Sequence, residues 1–435
     1  MLVLALSLLL PTGHAETPGI TLEDAVRLSH ENPSVAAAGS AREAARAGYA
    51  QAWPGRLPSF SLQGNVLMYD EAQEMALFES DEPMDCTGIP DPFGALCSSF
   101  GEPIVVREQV TSSVTAQVSM PITGQVAVDR QVAAAKAALD AARASERGVV
   151  FDAEFEAKDA WFGAAQVEAQ LAIAEAQVQS LEGRVKIAEG ALAAGTLTRT
   201  DLLLVRIALS QARHAVVQLT GHRELAYARL GVATGNGGSP LRPAELSQVP
   251  PREPPEAGAL SERALAARPE LVAMRERVRA ARAASQAASW ARLPSIAGMG
   301  AYQHTTGQGA FGSPDTAYVG ASLNWNVWSF GRAAAGVTAA RAQAEQVAHQ
   351  LESLEAGVRL DVLVRLTALS TAASAWATAA ETVEQASENL AIQERRRATG
   401  SGTMQEVLDA NVALVRAQST QASALYDARR AEAGL

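Results

Sequence analysis

The chain has 435 residues, with 47 acidic against 36 basic side chains and a net charge of −11. It carries no basic run longer than Arg395-Arg396-Arg397, which argues against nucleic acid as a partner, because binding phosphate needs clustered Lys and Arg. Hydrophobic residues make up 48% of the chain but aromatics only 5%, a composition of long helices packed through small side chains.

Met1 to Ala15 is an apolar run ending in Gly13-His14-Ala15, which reads as a secretory signal with a small-residue cleavage site. The positive n-region is missing, so the true start codon is left open. No cysteine follows the cleavage site to take a lipid anchor. Beyond this run no stretch of about 18 apolar residues occurs, so no transmembrane helix is expected.

Thr21 to His30 reads as a short helix capped by Thr21. Asn32-Pro33 opens a second helix to about Trp53, where Pro54-Gly55 stops it. The period then changes to two. Phe60, Leu62 and Val66 alternate with Ser61, Gln63 and Asn65, and Val114, Ala116 and Val118 alternate with Thr115, Gln117 and Ser119. This pattern predicts strands at about 58–69 and 110–121 with one apolar and one polar face. The intervening loop, roughly 70–108, holds Asp70, Glu71, Glu79, Asp81, Glu82 and Asp85, with Cys86 and Cys97. In an exported chain two cysteines this close favour a disulfide over two unpaired thiols.

Gly124 opens a helix over about 124–194, uninterrupted by proline. At about 1.5 Å per residue it spans roughly 100 Å. Ala174, Val178, Leu181, Val185, Ala188 and Leu192 step by three and four, a coiled-coil seam. Gly195 ends this helix, and a partner helix follows over about 200–230. Residues 232–256, rich in Gly and Pro, read as a linker.

The second half says the same thing again. Arg56-Leu57-Pro58-Ser59 recurs as Arg292-Leu293-Pro294-Ser295. Strands are expected at about 294–304 and 317–328, a long helix at about 331–399 and its partner at about 403–433. Repeat 1 thus covers 16–231 and repeat 2 covers 257–435. Between the second pair of strands, Gly307-Gln308-Gly309-Ala310-Phe311-Gly312 matches a dinucleotide fingerprint in form, but a strand follows where that site needs a helix. It reads as a hairpin loop.

Four strands with one apolar face cannot close a membrane barrel, and open edges are not tolerated in lipid. Other copies of the chain must complete them. The expected fold class is therefore mainly α with a membrane β-barrel portion: a long α-helical barrel plus four strands per protomer, closing as twelve strands in a trimer. Ser61, Gln63, Thr115, Gln117, Asn324 and Asn326 would face water. Tyr302, Tyr318, Trp325 and Trp328 would sit near the membrane interface.

This order of elements, the two-fold repeat and the two turns resemble the TolC-type outer-membrane efflux family. The likeness covers essentially the whole mature chain. Its most specific segments are Gly195-Thr196-Leu197-Thr198-Arg199-Thr200-Asp201-Leu202-Leu203 and Gly400-Ser401-Gly402-Thr403-Met404-Gln405-Glu406-Val407-Leu408-Asp409. The resemblance implies an outer-membrane homotrimer extending into the periplasm. A periplasmic adaptor and an inner-membrane transporter (RND, ABC or MFS type) would be its partners, with outer-membrane lipid around the strands.

The resemblance places Glu406 and Asp409 at an acidic ring closing the periplasmic mouth, where mutual repulsion would raise their pKa values. Thr200 and Asp201 either bond across helices to hold that mouth shut or cap the returning helix. Arg397 either reaches an acid on an adjacent protomer or complements a helix C-terminus. Gly195, Thr196, Leu197, Gly400 and Ser401 would form the turns that meet the adaptor. No catalytic constellation, cofactor site or metal site is visible. An efflux duct is the leading expectation. The channel of a type I protein secretion system and a soluble periplasmic coiled-coil scaffold are the alternatives.

Overall fold

The computed structural model describes residues 17–75, 87–88, 90, 104–244, 250–252, 256–290, 292–309 and 312–435. The expected signal segment and the Cys86–Cys97 pairing lie outside the described residues. The chain divides into two compact units. One comprises Met1–Glu43, Ala141–Arg275 and His349–Leu435, and the other Ala44–Asp140 and Glu276–Ala348.

The first unit is helical. It contains α1 (Leu22–Ser29), the start of α2 (Pro33–Ala52), most of α3 (Gln125–Ala193), α4 (Arg199–Ala233), α5 (Ala257–Ala267), the start of α6 (Pro269–Trp290), most of α7 (Arg332–Ala398) and α8 (Met404–Ala433). Thr21 caps α1, its hydroxyl accepting from the Asp24 amide at 3.1 Å. The main core gathers Trp161 and Phe162 of α3, Tyr227 and Leu230 of α4, and Tyr426 of α8. Ala160, Ala164 and Ala165 are almost wholly buried between these rings. Their small side chains let the helices approach closely, and the Trp161 indole donates to the Ile20 carbonyl at 3.1 Å.

That carbonyl belongs to strand β1 (Gly19–Ile20), which pairs in parallel with a strand at Arg242–Pro243. The segment expected to be linker, 232–256, is therefore part structure. Gly235, Gly237 and Gly238 take positive φ, folding the chain back so that Leu241 enters the core.

The heptad positions of α3 form its buried seam. Ala174, Leu181 and Ala188 are buried, and Leu181 packs with Val205 and Leu209 of α4 and Leu408 of α8. A buried Asn411 breaks the apolar run and donates to Gln177 at 3.1 Å. Toward the start of α6, Arg268 bonds both Glu270 and Asp361, while Arg365 grips Asp361 from the next turn of α7. Burial pushes the Asp361 carboxyl up, but the bonds from Arg268 and Arg365 outweigh it and hold it lower than usual. Asp152 is pushed the other way, by burial and then by the Glu270 charge.

The second unit carries a four-stranded antiparallel sheet. Numbered in chain order, its strands are β2 (Ser59–Met68), β5 (Val110–Pro121), β7 (Ser295–Thr306) and β8 (Asp315–Asn324), and they lie side by side in that order. A short hairpin of β3 (Gln73–Met75) and β4 (Ile104–Arg107) extends the first connection; β6 is the Arg242–Pro243 strand. Each sheet strand has 10 or 12 residues, a length that spans lipid when tilted. The 307–312 motif is followed by β8, not by a helix.

The strand expected over 317–328 instead runs from Asp315 to Asn324. Its in-chain partner β7 begins at Ser295, opposite Asn324. Pro294 before it has no N–H to offer, so the ladder stops there. Trp325 and Trp328 consequently lie past the strand. Phe330, with φ of 48°, and Gly331, with φ of 82°, turn the chain into α7.

Candidate functional site

Two turns of the helical unit share one architecture. Gly195 and Gly400 have φ of 73° and 75°. In the first turn the Gly195 amide donates to Leu192 and the Thr196 amide to Ala191. In the second, Gly400 donates to Arg397 and Ser401 to Arg396. Both glycines thus satisfy the last carbonyls of a long helix by a left-handed cap. A Cβ at either glycine would meet nothing within 4 Å, so the requirement for glycine comes from the backbone and not from space.

Three residues on, each returning helix starts with a reciprocal cap. The Asp201 amide donates to the Thr198 hydroxyl at 3.2 Å, and the Asp201 carboxylate takes the Thr198 amide and hydroxyl. Glu406 does the same with Thr403, accepting its amide at 2.8 Å. The cap of α4 is therefore Thr198, not Thr200, because Asp201 stands three residues after Thr198 as this motif requires. Thr200 is exposed on the first turn. Within one chain, Asp201 and Glu406 bond to the caps of their own helices.

The two turns come together. Met404 packs against Leu197, Leu202 and Ala188 on one side and against the Leu181–Val205–Leu408 cluster on the other. Thr200, Asp201, Glu406 and Asp409 are thereby carried on neighbouring helix starts. Asp409 is exposed and accepts from Gln405 at 2.8 Å. The Thr403 amide holds the Glu406 carboxyl below its usual value, against burial and with help from Arg396. Within one chain this shift is opposite in sign to the effect expected of an acidic ring.

Arg397 is half-buried and makes no ion pair among the described residues. Its neighbour Arg396 ties the turn together, donating to Gln393 at 3.1 Å and to the Ser401 carbonyl at 3.2 Å. Sequence alone puts Arg395 and Arg396 beside Arg397 ahead of this turn; it assigns no role to Thr198 and Thr403. A Thr three before an acid at both turns is the signal for those two.

The sheet carries the second functional feature, its two faces. Residues directly opposite in a ladder point to the same side. Phe60, Val118, Gly300 and Val319 form one row, and Leu62, Ala116, Tyr302 and Ala317 the next. Both are apolar. The adjoining rows, Ser61–Gln117–Ala301–Tyr318 and Gln63–Thr115–Gln303–Thr316, are polar except at Ala301. Tyr302 and Tyr318, expected to act alike, therefore fall on opposite faces, and Tyr318 shares the polar side. Tyr302 donates to Asp315 at 2.5 Å, and His304 contacts the same oxygen at 2.8 Å. Trp328 and Phe330 make an exposed edge-on pair at 5.9 Å.

Among the described residues no group of three or more His, Cys, Asp or Glu could hold a metal ion. No described helix is long and apolar enough to cross a membrane.

Comparison with known proteins matches residues 26–236 and 260–435 to the family model described as outer membrane efflux protein. The chain belongs to the outer membrane efflux protein family. The two matched segments correspond to the two halves of the chain. Outer membrane efflux protein BepC of Brucella suis is 25% identical over 342 residues, covering 78% of this chain and 74% of that protein. The outer membrane protein VceC of Vibrio cholerae superposes with a TM-score of 0.79 at 16% identity, covering 95% of this chain and 94% of that one. The Campylobacter jejuni CmeC outer membrane channel gives 0.79 at 14% identity, covering 95% and 84%. At these identities the two structures establish the fold. As an outer membrane efflux protein the chain resides in the outer membrane, extends into the periplasm, and acts in transport. The solved structures of this fold include outer membrane channels, among them CmeC and MtrE of Neisseria gonorrhoeae.

Proposed function

We propose that three copies of this chain assemble into the exit duct of a tripartite efflux system. The duct conducts substrates passively from a periplasmic adaptor and an inner-membrane transporter to the outside. The observation that carries this reading is the sheet: four strands with one apolar face, whose two outer strands, β2 and β8, are exposed and have no partner on their outer edges among the described residues. Each unpaired backbone group costs several kcal/mol in lipid. Three copies give twelve strands and no edge.

On this reading the paired turns form the periplasmic end. Asp409 and Glu406 from three copies line a narrow axis and favour cations. Thr200, Asp201 and Arg397 border that constriction. Gly195, Thr196, Leu197, Gly400 and Ser401 meet the adaptor. Trp325 and Trp328 flank the inner edge of the lipid belt.

The test is the mass of the detergent-extracted protein together with its conductance in a planar bilayer. A trimer with small closed-state conductance, which rises in an Asp409→Ala, Glu406→Ala double variant, is expected. A stable monomer in water without detergent would overturn the proposal.

A further inference from the structure

We propose that β2 of one copy pairs antiparallel with β8 of the next in a single register, with Gln63 opposite Ser322, Leu62 opposite Leu323 and Phe60 opposite Trp325. This rests on the trimeric reading above and adds the geometry of its seam.

Parity gives the first constraint. A one-residue slip would turn an apolar face toward water. Phe60, Leu62 and Val66 lie on the apolar face of β2, and Val319, Ala321 and Leu323 on that of β8. Only registers that place these sets opposite each other keep one lipid face around the ring, so allowed registers differ by steps of two residues.

The drift of the strand ends gives the second constraint. The row through Ser59 passes Ser119 and Met299 and reaches Gly320, yet β8 continues four residues further, to Asn324. At the other end, the row through Val66 passes Ser112 and reaches Thr306, the end of β7, and its continuation falls at Ser313, two residues before β8 begins at Asp315, while β2 runs two residues further, to Met68. Both ends therefore slide the same way over three strand-to-strand steps, by about one to two residues per step. A fourth step at the same rate brings the slide to between five and six, and parity allows six. Four would demand a seam with no slide at all.

The third constraint is local. The alternation of β8 runs on through Trp325 and Val327, past the last residue that β7 can pair. In the proposed register Trp325 gains the partner that its own chain does not supply. Three such seams stagger the ring by about eighteen residues. With strands about 4.8 Å apart and about 3.3 Å per residue, the strands tilt by roughly 45°, within the ordinary range for closed barrels.

Cysteine pairs on the water-facing side test this register. Gln63→Cys with Ser322→Cys, oxidised in detergent-extracted trimers, is expected to give covalent trimers on a denaturing gel. Gln63→Cys with Gly320→Cys, or with Asn324→Cys, is expected to leave monomers, because two residues along the strand is beyond disulfide reach. Single-cysteine variants control for Cys86 and Cys97. Intact trimers that cross-link through Gly320→Cys or Asn324→Cys, or through none of the three pairs, overturn the register. Failure of the unmodified chain to form trimers overturns the assembly itself.

Discussion

At the residue scale the paired turns combine two different demands. Gly195 and Gly400 are fixed by backbone conformation, so Asn, which tolerates left-handed geometry, should replace Gly400 with little loss. A β-branched residue should not be accommodated. Gly400→Val is expected to abolish efflux in a susceptibility assay while trimers persist, and Gly400→Asn to retain it. The threonine caps are a separate matter of stability. Thr198→Ala or Thr403→Ala should each cost about 1 kcal/mol, read by denaturant unfolding. The glycines were legible in the sequence because a long proline-free run ended at each of them. The bonding of Glu406 was not, since a ring of carboxylates and a local cap use the same residue, and only coordinates show where the carboxylate points.

The ion cluster at Asp361 also acts at this scale, and it has a pH signature. The Asp361 pKa is lowered, so its stabilisation is complete above the unfolded value of about 3.9. It is lost as pH falls through the folded value. The Asp152 pKa is raised, so Asp152 weakens the fold once pH climbs past its own unfolded value. Asp361→Asn should therefore lower Tm at pH 7, and that difference should shrink in strong acid. Asp152→Asn should hold or raise Tm at pH 7 and match the parent in strong acid. A fall in Tm for both variants at pH 7 would contradict the assigned directions.

At the element scale the long helices are stabilised by a narrow seam and not by a broad core. Leu181 is almost completely buried at the point where α3, α4 and α8 meet. Leu181→Ala should cost about 2–5 kcal/mol, whereas Ile187→Ala, on an exposed face six residues away, should change little. Unfolding of both variants in denaturant measures the difference. This seam was readable in advance because steps of three and four define a face whatever the partner is. The small strand pairing of β1 with Arg242–Pro243 was not. Two-residue strands have no period, and the Gly-rich and Pro-rich stretch that builds them has the composition of a linker.

At the scale of the whole molecule, the proposed duct rests on a sheet that one chain leaves open. The sequence showed its alternation, but the register that sorts Tyr302 from Tyr318 appears only when strands are laid side by side. That sorting makes a sharp prediction about charge. Phe60 lies in the row of Val118, Gly300 and Val319, and Gln63, three rows along and so on the opposite face, lies with Thr115, Gln303 and Thr316. Both positions are exposed in the single chain, so solvent exposure alone predicts that arginine is tolerated equally at each. In lipid the two differ, because a charge on the outer face costs about 2–4 kcal/mol at mid-depth, and a trimer presents it three times. Phe60→Arg should sharply reduce folded trimer in outer-membrane fractions. Gln63→Arg should assemble normally and shift the ion selectivity of the bilayer conductance toward anions. Equal assembly of both variants would mean that the Phe60 row does not face lipid, and the closed barrel would fail with it.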